Sequence, residues 1–180
     1  MYIINKISKD IYEIENFISD EEQSYFLDLA NNGKDWHQND TEYPEFWQNK
    51  NLTIDPKHFE IIYKRIKSLF FSYESITTMN NIQRYLKDQN MGPHRDHCLD
   101  DDNVKYGIVL YFNDNYLGGE ICYSELDIAV KPKAKSLIIH GGEILHETSP
   151  IIGHSTRYFA TTFVKGTQEL PAILDPKIFN

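Results

Sequence analysis

Two hydrophobic periods divide this chain near Ser75. Before it, apolar residues recur mainly at helical spacings; after it they lie in short runs rich in β-branched and aromatic residues. Residues Ile11 to Ile18 alternate loosely and read as an opening strand. Ser19-Asp20-Glu21-Glu22 then forms a capping box, with the Ser19 hydroxyl placed to accept from the Glu22 amide while the Glu22 side chain reaches back. Phe26, Leu29 and Ala30 give the helix that follows a buried stripe, and Gly33 is its expected stop. From Lys34 to Thr53 the chain is polar and aromatic without a period. Trp36, Tyr43, Phe46 and Trp47 here read as an ordered loop packed on the core, with contact to a substrate as the alternative. Asp55-Pro56 supplies an N-cap carboxylate and a proline at the first helical position. Phe59, Ile62, Ile66, Leu69, Phe70 and Tyr73 then form an amphipathic stripe that must cover an apolar surface.

Beyond Ser75 the predicted strands are Thr77 to Leu86, Tyr106 to Asn113, Glu120 to Tyr123, Ile128 to Val130, Ser136 to His140, Leu145 to Ser149 and Arg157 to Val164. Turn signals separate them, among them Asn90-Met91-Gly92-Pro93, Gly118-Gly119 and Gly141-Gly142. Two helices followed by many short strands predict an α+β, mainly β architecture: a jelly-roll (double-stranded β-helix) core with N-terminal supporting helices. No linker or repeat divides the chain. The expectation is one domain over 1–180, with a helical front over about 1–75, a barrel over about 76–165 and a tail over 166–180.

Composition narrows the class of function. A length of 180 residues and 41% hydrophobic content suffice for one core without staples. The 12 Tyr and 10 Phe suit strands and aromatic-lined pockets. A net charge of −9 weighs against a nucleic-acid backbone as partner. Two cysteines, Cys98 and Cys122, make no disulfide framework and point to a reducing, cytoplasmic setting. Neither a signal-peptide core after Met1 nor an 18-residue apolar run is present, so no membrane partner is expected.

Candidate chemistry centres on His94 and Asp96. Two residues apart on a strand, their side chains would share a face, roughly 7 Å apart along the backbone. With a distant histidine they would form a 2-His-1-carboxylate triad, which leaves positions open on a non-heme Fe(II). His146, within Ile144-Leu145-His146-Glu147-Thr148, is the best third ligand. His140 and His154 remain open, although each sits beside glycine at a strand end. His37 and His58 belong to the helical front, and His97 would face away from His94. Arg157 opens the last strand, where it shares a face with Phe159 and Thr161. A guanidinium entering a barrel needs an anion to offset its desolvation, and its planar fork fits a carboxylate. A metal with open positions and a deeper Arg is the layout for a dicarboxylic keto acid. Thr161 is a further candidate to hydrogen-bond that carboxylate.

On these residues the chain resembles the Fe(II)/2-oxoglutarate-dependent dioxygenases, in their prolyl 4-hydroxylase-like branch. The resemblance runs from about Tyr12 to Val164. Its pieces are the opening Asn16-Phe17-Ile18-Ser19 with Glu21-Glu22, and Tyr85 with His94-Arg95-Asp96 nine residues on. They continue with Leu110-Tyr111-Phe112-Asn113 before Gly118-Gly119-Glu120, then Pro132 to Leu137, and close on Leu145-His146-Glu147 and Arg157-Tyr158. The resemblance implies Fe(II) held by His94, Asp96 and His146, with 2-oxoglutarate and O2 as co-substrates and ascorbate as an accessory reductant. Arg157 and Tyr111 would take the far carboxylate, and Tyr85 would stand near the metal-side end of the cofactor. It implies a peptide or amino-acid substrate, with proline as the default, and the intact Asp96 favours hydroxylation over halogenation. The rival readings are the same chemistry on a nucleic-acid base, and a non-catalytic metal-binding barrel or sensor.

The chain departs from the branch in two places. Ala134-Lys135 stands where a glycine is usual, so that turn is expected to differ. The segment Leu99-Asp100-Asp101-Asp102 is short and acidic; it reads as a solvated loop, with attraction of a cationic substrate as the alternative. Arg84 and Trp47 are weaker candidates for substrate contact.

Overall fold

The computed structural model describes residues 2–38, 43–70, 73–97 and 103–166. The acidic segment around Asp100 and the tail beyond Gly166 lie outside them. The chain opens with the hairpin β1 (Ile3–Ser8) and β2 (Ile11–Glu15), followed by α1 (Asp20–Asn32), β3 (His37–Gln38) and β4 (Lys50–Thr53). A 3-10 turn (Pro56–Phe59) leads into α2 (Glu60–Ser68), and then come β5 (Ser75–Ile76), β6 (Asn81–Tyr85), β7 (Met91–His94) and β8 (Val104–Tyr111). The remaining strands are β9 (Leu117–Gly118), β10 (Ile121–Tyr123), β11 (Ile128–Val130), β12 (Leu137–Gly141), β13 (His146–Thr148), β14 (Ile151–Ile152) and β15 (Arg157–Lys165).

The major sheet runs β1-β2-β12-β8-β15-β6-β4-β3, with β5 also on β15, and the minor sheet runs β11-β10-β13-β7. Every pairing within these two sheets is antiparallel, and the architecture is the expected jelly roll with helices on one side. Strand alternation creates two cores. On β8, Tyr106, Ile108 and Leu110 face the helices, whereas Val109 and Tyr111 face the barrel interior. On β12, Leu137 and Ile139 point toward the helices and Ile138 inward. On β15, Ala160 and Val164 join the helix side and Phe159 the interior.

Ser19 and Glu22 make both hydrogen bonds of the capping box, and Phe26 and Ala30 are buried as the stripe predicts. Phe26 stacks on Phe59 and Phe112 at 4.8 and 4.9 Å, which pins α1 to the 3-10 turn and to the end of the sheet. Burying that ring is worth about 2–3 kcal/mol. Arg65 of α2 donates to both carboxylate oxygens of Glu22 and to the Phe17 carbonyl, so the two helices are clamped at the cap.

Four local expectations are corrected. The Lys34–Thr53 loop holds β3 and β4, which extend the major sheet beside β6; tertiary pairing overrides the missing alternation there. The segment Asn90 to Pro93 contributes most of β7 rather than a turn. β7 is the edge of the minor sheet, where Pro93 costs no ladder donor. Gly33 ends α1 in an extended conformation, not a left-handed one; a Cβ there would fall 2.3 Å from Leu52 Cδ2, so any larger residue would have to displace the Leu52 side chain of β4. The turn before β12 keeps its left-handed residue without glycine, because Lys135 itself takes φ +65°.

Candidate metal and cofactor site

β7 and β13 pair so that His94 and His146 are direct cross-strand partners, with ring centroids 4.2 Å apart. Each ring is oriented by its own backbone: Nδ1 of His94 donates to the Gly92 carbonyl at 2.9 Å, and Nδ1 of His146 to the Ile144 carbonyl at 2.9 Å. A carbonyl can only accept, so Nδ1 carries the hydrogen and Nε2 keeps its lone pair. Both Nε2 atoms turn toward Asp96 Oδ1, at 3.6 and 3.8 Å. Among the described residues, His94, Asp96 and His146 form a group whose ligand atoms all lie within 4.8 Å of one another. Two free imidazole nitrogens and one carboxylate oxygen on one side of a cavity are a donor set that fits Fe(II).

The electrostatics match that use. Burial by itself would raise the Asp96 carboxyl. The hydrogen bond from His140, with the neighbouring imidazoles of His94 and His146, outweighs it and holds the group far below the usual carboxylate range. Burial, and then the adjacent His140, push the His146 imidazole down to about 3 against the pull of Asp96. Asp96 is thus ionised and His146 neutral at neutral pH, the forms that ligate metal.

The other end of the site is built on the major sheet. Arg157, at the start of β15, is 2% exposed and faces the barrel interior with Phe159 and Thr161. It donates to the Gly119 carbonyl at 3.1 Å and to the Tyr111 hydroxyl at 3.0 Å, while its buried Nε has no partner. No carboxylate lies within 4 Å of its guanidinium among the described residues. The hydroxyls of Tyr85 and Tyr116 are likewise buried and unpartnered. Accepting from Arg157 leaves the Tyr111 hydroxyl its own hydrogen to donate. Burial raises the Tyr85 and Tyr111 phenols despite the nearby guanidinium, so both remain neutral donors. An interior cation with orphaned donors around it is a site for an anion.

Two cavities join the ends. One, of about 190 Å³, is lined by His94, Asp96, His146, Trp47, Gln83 and Phe163 among others. The second, smaller one reaches Tyr85, Tyr111, Arg157 and Phe159, and the two share Met91, Val109, His146 and Thr161 in their walls.

The structure therefore brings together His94, Asp96, His146, Arg157, Tyr111, Tyr85 and Thr161. Tyr85 stands beside Arg157, as its cross-strand partner with the guanidinium 5.4 Å from its ring, and so belongs to the anion end. Thr161 Oγ1 accepts from Gln83 Nε2 at 2.7 Å. Asp96 lies in a bend just past β7, not on the strand. The aromatic loop divides: Trp36 packs outside under Arg84, 4.1 Å from its guanidinium, so Arg84 lines neither of these two cavities. Trp47 meets the His94 ring edge-on at 4.9 Å and lines the larger one.

One residue of the site stood in the sequence only as an open alternative for the third ligand. His140 is 2% exposed, with Nε2 3.0 Å from Asp96 Oδ2 and its ring 4.1 Å from that of His146. The signal that could have found it is the alternation within Ser136 to His140, which puts His140 on the inward face with Ile138.

Residues 80–165 match the family model described as the 2OG-Fe(II) oxygenase superfamily. That stretch, a little under half of the chain, is similar to the 2OG-Fe(II) oxygenases. That family implies Fe(II), 2-oxoglutarate and O2, and the His94, Asp96 and His146 group suits the metal. The chain resembles prolyl hydroxylases in fold. A viral collagen prolyl hydroxylase from Paramecium bursaria Chlorella virus-1, in complex with 2OG, aligns with a TM-score of 0.67 at 17% identity, over 89% of this chain and 98% of that one. A prolyl hydroxylase from Trichoplax adhaerens, in complex with a hypoxia inducible factor peptide fragment, gives 0.70 at 14%, over 88% and 84%. A Pseudomonas putida prolyl-4-hydroxylase gives 0.69 at 17%, over 88% and 93%. No curated protein matches the chain in sequence. No described helix is long and apolar enough to cross a membrane.

Proposed function

We propose that this chain is a 2OG-Fe(II) oxygenase that hydroxylates a C–H bond of a peptidyl or free amino acid, a prolyl residue by default, and that His94, Asp96 and His146 hold its iron. The observation that carries the reading is the buried Arg157 guanidinium, whose Nε lacks a partner, at the far end of the cavity system that begins at the histidines. The distal carboxylate of 2-oxoglutarate would satisfy it, with Tyr111 as second donor and Thr161 and Tyr85 in the surrounding wall. Bound iron supplies the activation of O2, coupled to oxidative decarboxylation of the keto acid. The chain's own residues orient the co-substrate, keep its channel dry and aim the ligands. Trp47 and Met91, which bridge to each other beside His94, form the wall that a substrate side chain would meet. The fold shared with prolyl hydroxylases, one of them with a peptide bound, supports a peptide as substrate. The absence of a disulfide framework in the sequence supports a cytoplasmic setting.

Anaerobic titration of the protein with Fe(II) and then 2-oxoglutarate tests metal and co-substrate together. A weak visible charge-transfer band is expected, which Asp96→Ala removes and Arg157→Ala shifts to much higher 2-oxoglutarate concentration. A band unaffected by Asp96→Ala would overturn the ligand assignment. Succinate release stimulated by proline-containing peptides, and not by oligonucleotides, is the expected substrate result.

A further inference from the structure

We infer that Tyr123, His140 and Asp96 form a hydrogen-bonded relay that fixes which carboxylate oxygen faces the metal, which makes His140 a positioning residue. The inference rests on the assignment of Asp96 as a ligand. His94 and His146 each carry a local tie, a carbonyl two residues back. Asp96 is different. It stands in a bend past the end of β7, where no strand ladder sets its side chain. What holds it comes from the opposite sheet.

His140 Nε2 lies 3.0 Å from Asp96 Oδ2, and Nδ1 lies 3.1 Å from the Tyr123 hydroxyl. Facing a carboxylate oxygen, Nε2 must carry the hydrogen, so Nδ1 is the acceptor and Tyr123 donates to it. The chain of donors is therefore directional, from phenol to imidazole to Oδ2. Oδ2 is occupied by that hydrogen bond, while Oδ1 is the oxygen turned to both imidazole Nε2 atoms. The relay selects one oxygen for the metal and restrains the carboxylate against rotating to offer both. It also spans the barrel, since Tyr123 sits on β10 of the minor sheet and His140 on β12 of the major sheet.

Gly107 is a second, independent mark of the same arrangement. It is the register partner of His140 on the adjacent β8. A Cβ there would fall 2.0 Å from Asp96 Oδ2 and 2.5 Å from His140 Nε2. A missing side chain in the middle of a long strand, where glycine weakens pairing, is what this hydrogen bond requires. Tyr123 and His140 are nearly fully buried and the Asp96 side chain is 8% exposed, so the bonds are largely shielded from solvent.

The test is Fe(II) affinity of the full chain, measured anaerobically without 2-oxoglutarate, with thermal midpoint as the folding control. His140→Leu should bind iron about 10–100-fold more weakly. His140→Gln, which keeps an N–H directed at Oδ2, should stay within about threefold of the parent. Tyr123→Phe, which frees the tautomer but keeps the imidazole, should lose roughly threefold to tenfold. At saturating iron and 2-oxoglutarate, the charge-transfer band of His140→Leu should be displaced from that of the parent. The relay is overturned if folded His140→Leu binds iron like the parent, or if His140→Gln is as weak as His140→Leu. If His140→Leu does not fold, Tyr123→Phe decides, and parent-like affinity there counts against the relay. Asp96→Ala separates the two proposals: if it too binds iron normally, the ligand assignment fails and not only the relay.

Discussion

The major and minor sheets hold their polar residues by different means. Arg157 and Tyr111 belong to strands of nine and eight residues, paired to each other and flanked on both sides, so the ladder alone fixes where they point. His146 and His94 belong to strands of three and four residues, one of them at an edge with a register shift beside it. Such short pairing cannot orient a ring to the tolerance a metal needs, and here each imidazole is tied to a carbonyl while Asp96 is held from across the barrel. The anion end is thus set by topology and the metal end by side-chain hydrogen bonds. The two should fail separately.

Arg157→Leu is the largest break in that comparison. Truncating one partner of a buried charge pair costs about 2–5 kcal/mol, so 2-oxoglutarate affinity should fall roughly 30-fold or more. Fe(II) affinity without the co-substrate should stay within about threefold, because no relay or ligand bond passes through β15. The same variant sharpens the point thermodynamically. It removes a buried cation that has no counter-ion among the described residues, and its thermal midpoint without ligand should be no lower than the parent's. Added 2-oxoglutarate should raise the parent's midpoint and leave the variant's unmoved. A variant that loses iron and co-substrate equally would mean that the two ends are one unit.

Gly107→Ala attacks the metal end from the major sheet. The added methyl must displace Asp96 Oδ2 or the His140 ring, and iron affinity should drop about 10–100-fold. The Arg157 end should be untouched, as read by the thermal shift that 2-oxoglutarate gives at saturating metal.

The helix clamp provides a control that should touch neither end. Burial would raise the Glu22 carboxyl, but its hydrogen bonds with Arg65 and the Ser19 amide hold it below its ordinary value of 4.5. A depressed carboxylate contributes stability above its unfolded pKa and loses it as pH falls through the folded one. The parent should lose about 1 kcal/mol across roughly pH 5 to 3 that Glu22→Gln does not lose, since Glu22→Gln lacks that contribution at every pH. Denaturant melts at several pH values measure this, and iron affinity at neutral pH should be the same in both proteins.

How legible all this was follows the same division. The barrel strands, both helices and the capping box were readable because each rests on local period or local hydrogen bonding. Arg157, Phe159 and Thr161 were placed on one face by counting in twos. β3 and β4 were not readable: Lys50–Thr53 has no alternation of its own and is a strand because β6 offers it an edge. β7 was half-read, since Met91-Gly92-Pro93 carries turn residues that only an edge strand tolerates. His140 was in reach of the alternation, but its use depends on Asp96, 44 positions away, and no spacing rule anticipates that contact.

The smallest effect concerns the turn that feeds β12. Lys135 at φ +65° occupies a backbone region that costs a residue with a Cβ about 1–2 kcal/mol. The turn holds because its neighbours over-determine it: Lys135 donates to the Tyr111 carbonyl at 2.9 Å and accepts from the Phe17 amide at 2.8 Å. Its side chain pairs with Asp20 at 2.6 Å, but Asp20 is largely exposed and such a pair contributes little. Lys135→Gly should therefore stabilise the fold by about 0.5–1 kcal/mol, the relief being partly offset by the extra freedom of glycine in the unfolded chain. Equilibrium denaturation reads the sign, and a destabilised variant would mean that the Asp20 pair outweighs the strain. Iron affinity gives the finer reading. His140 lies five residues beyond Lys135, on β12, and if that strand's ladder rather than its turn sets the histidine, Lys135→Gly should bind Fe(II) like the parent.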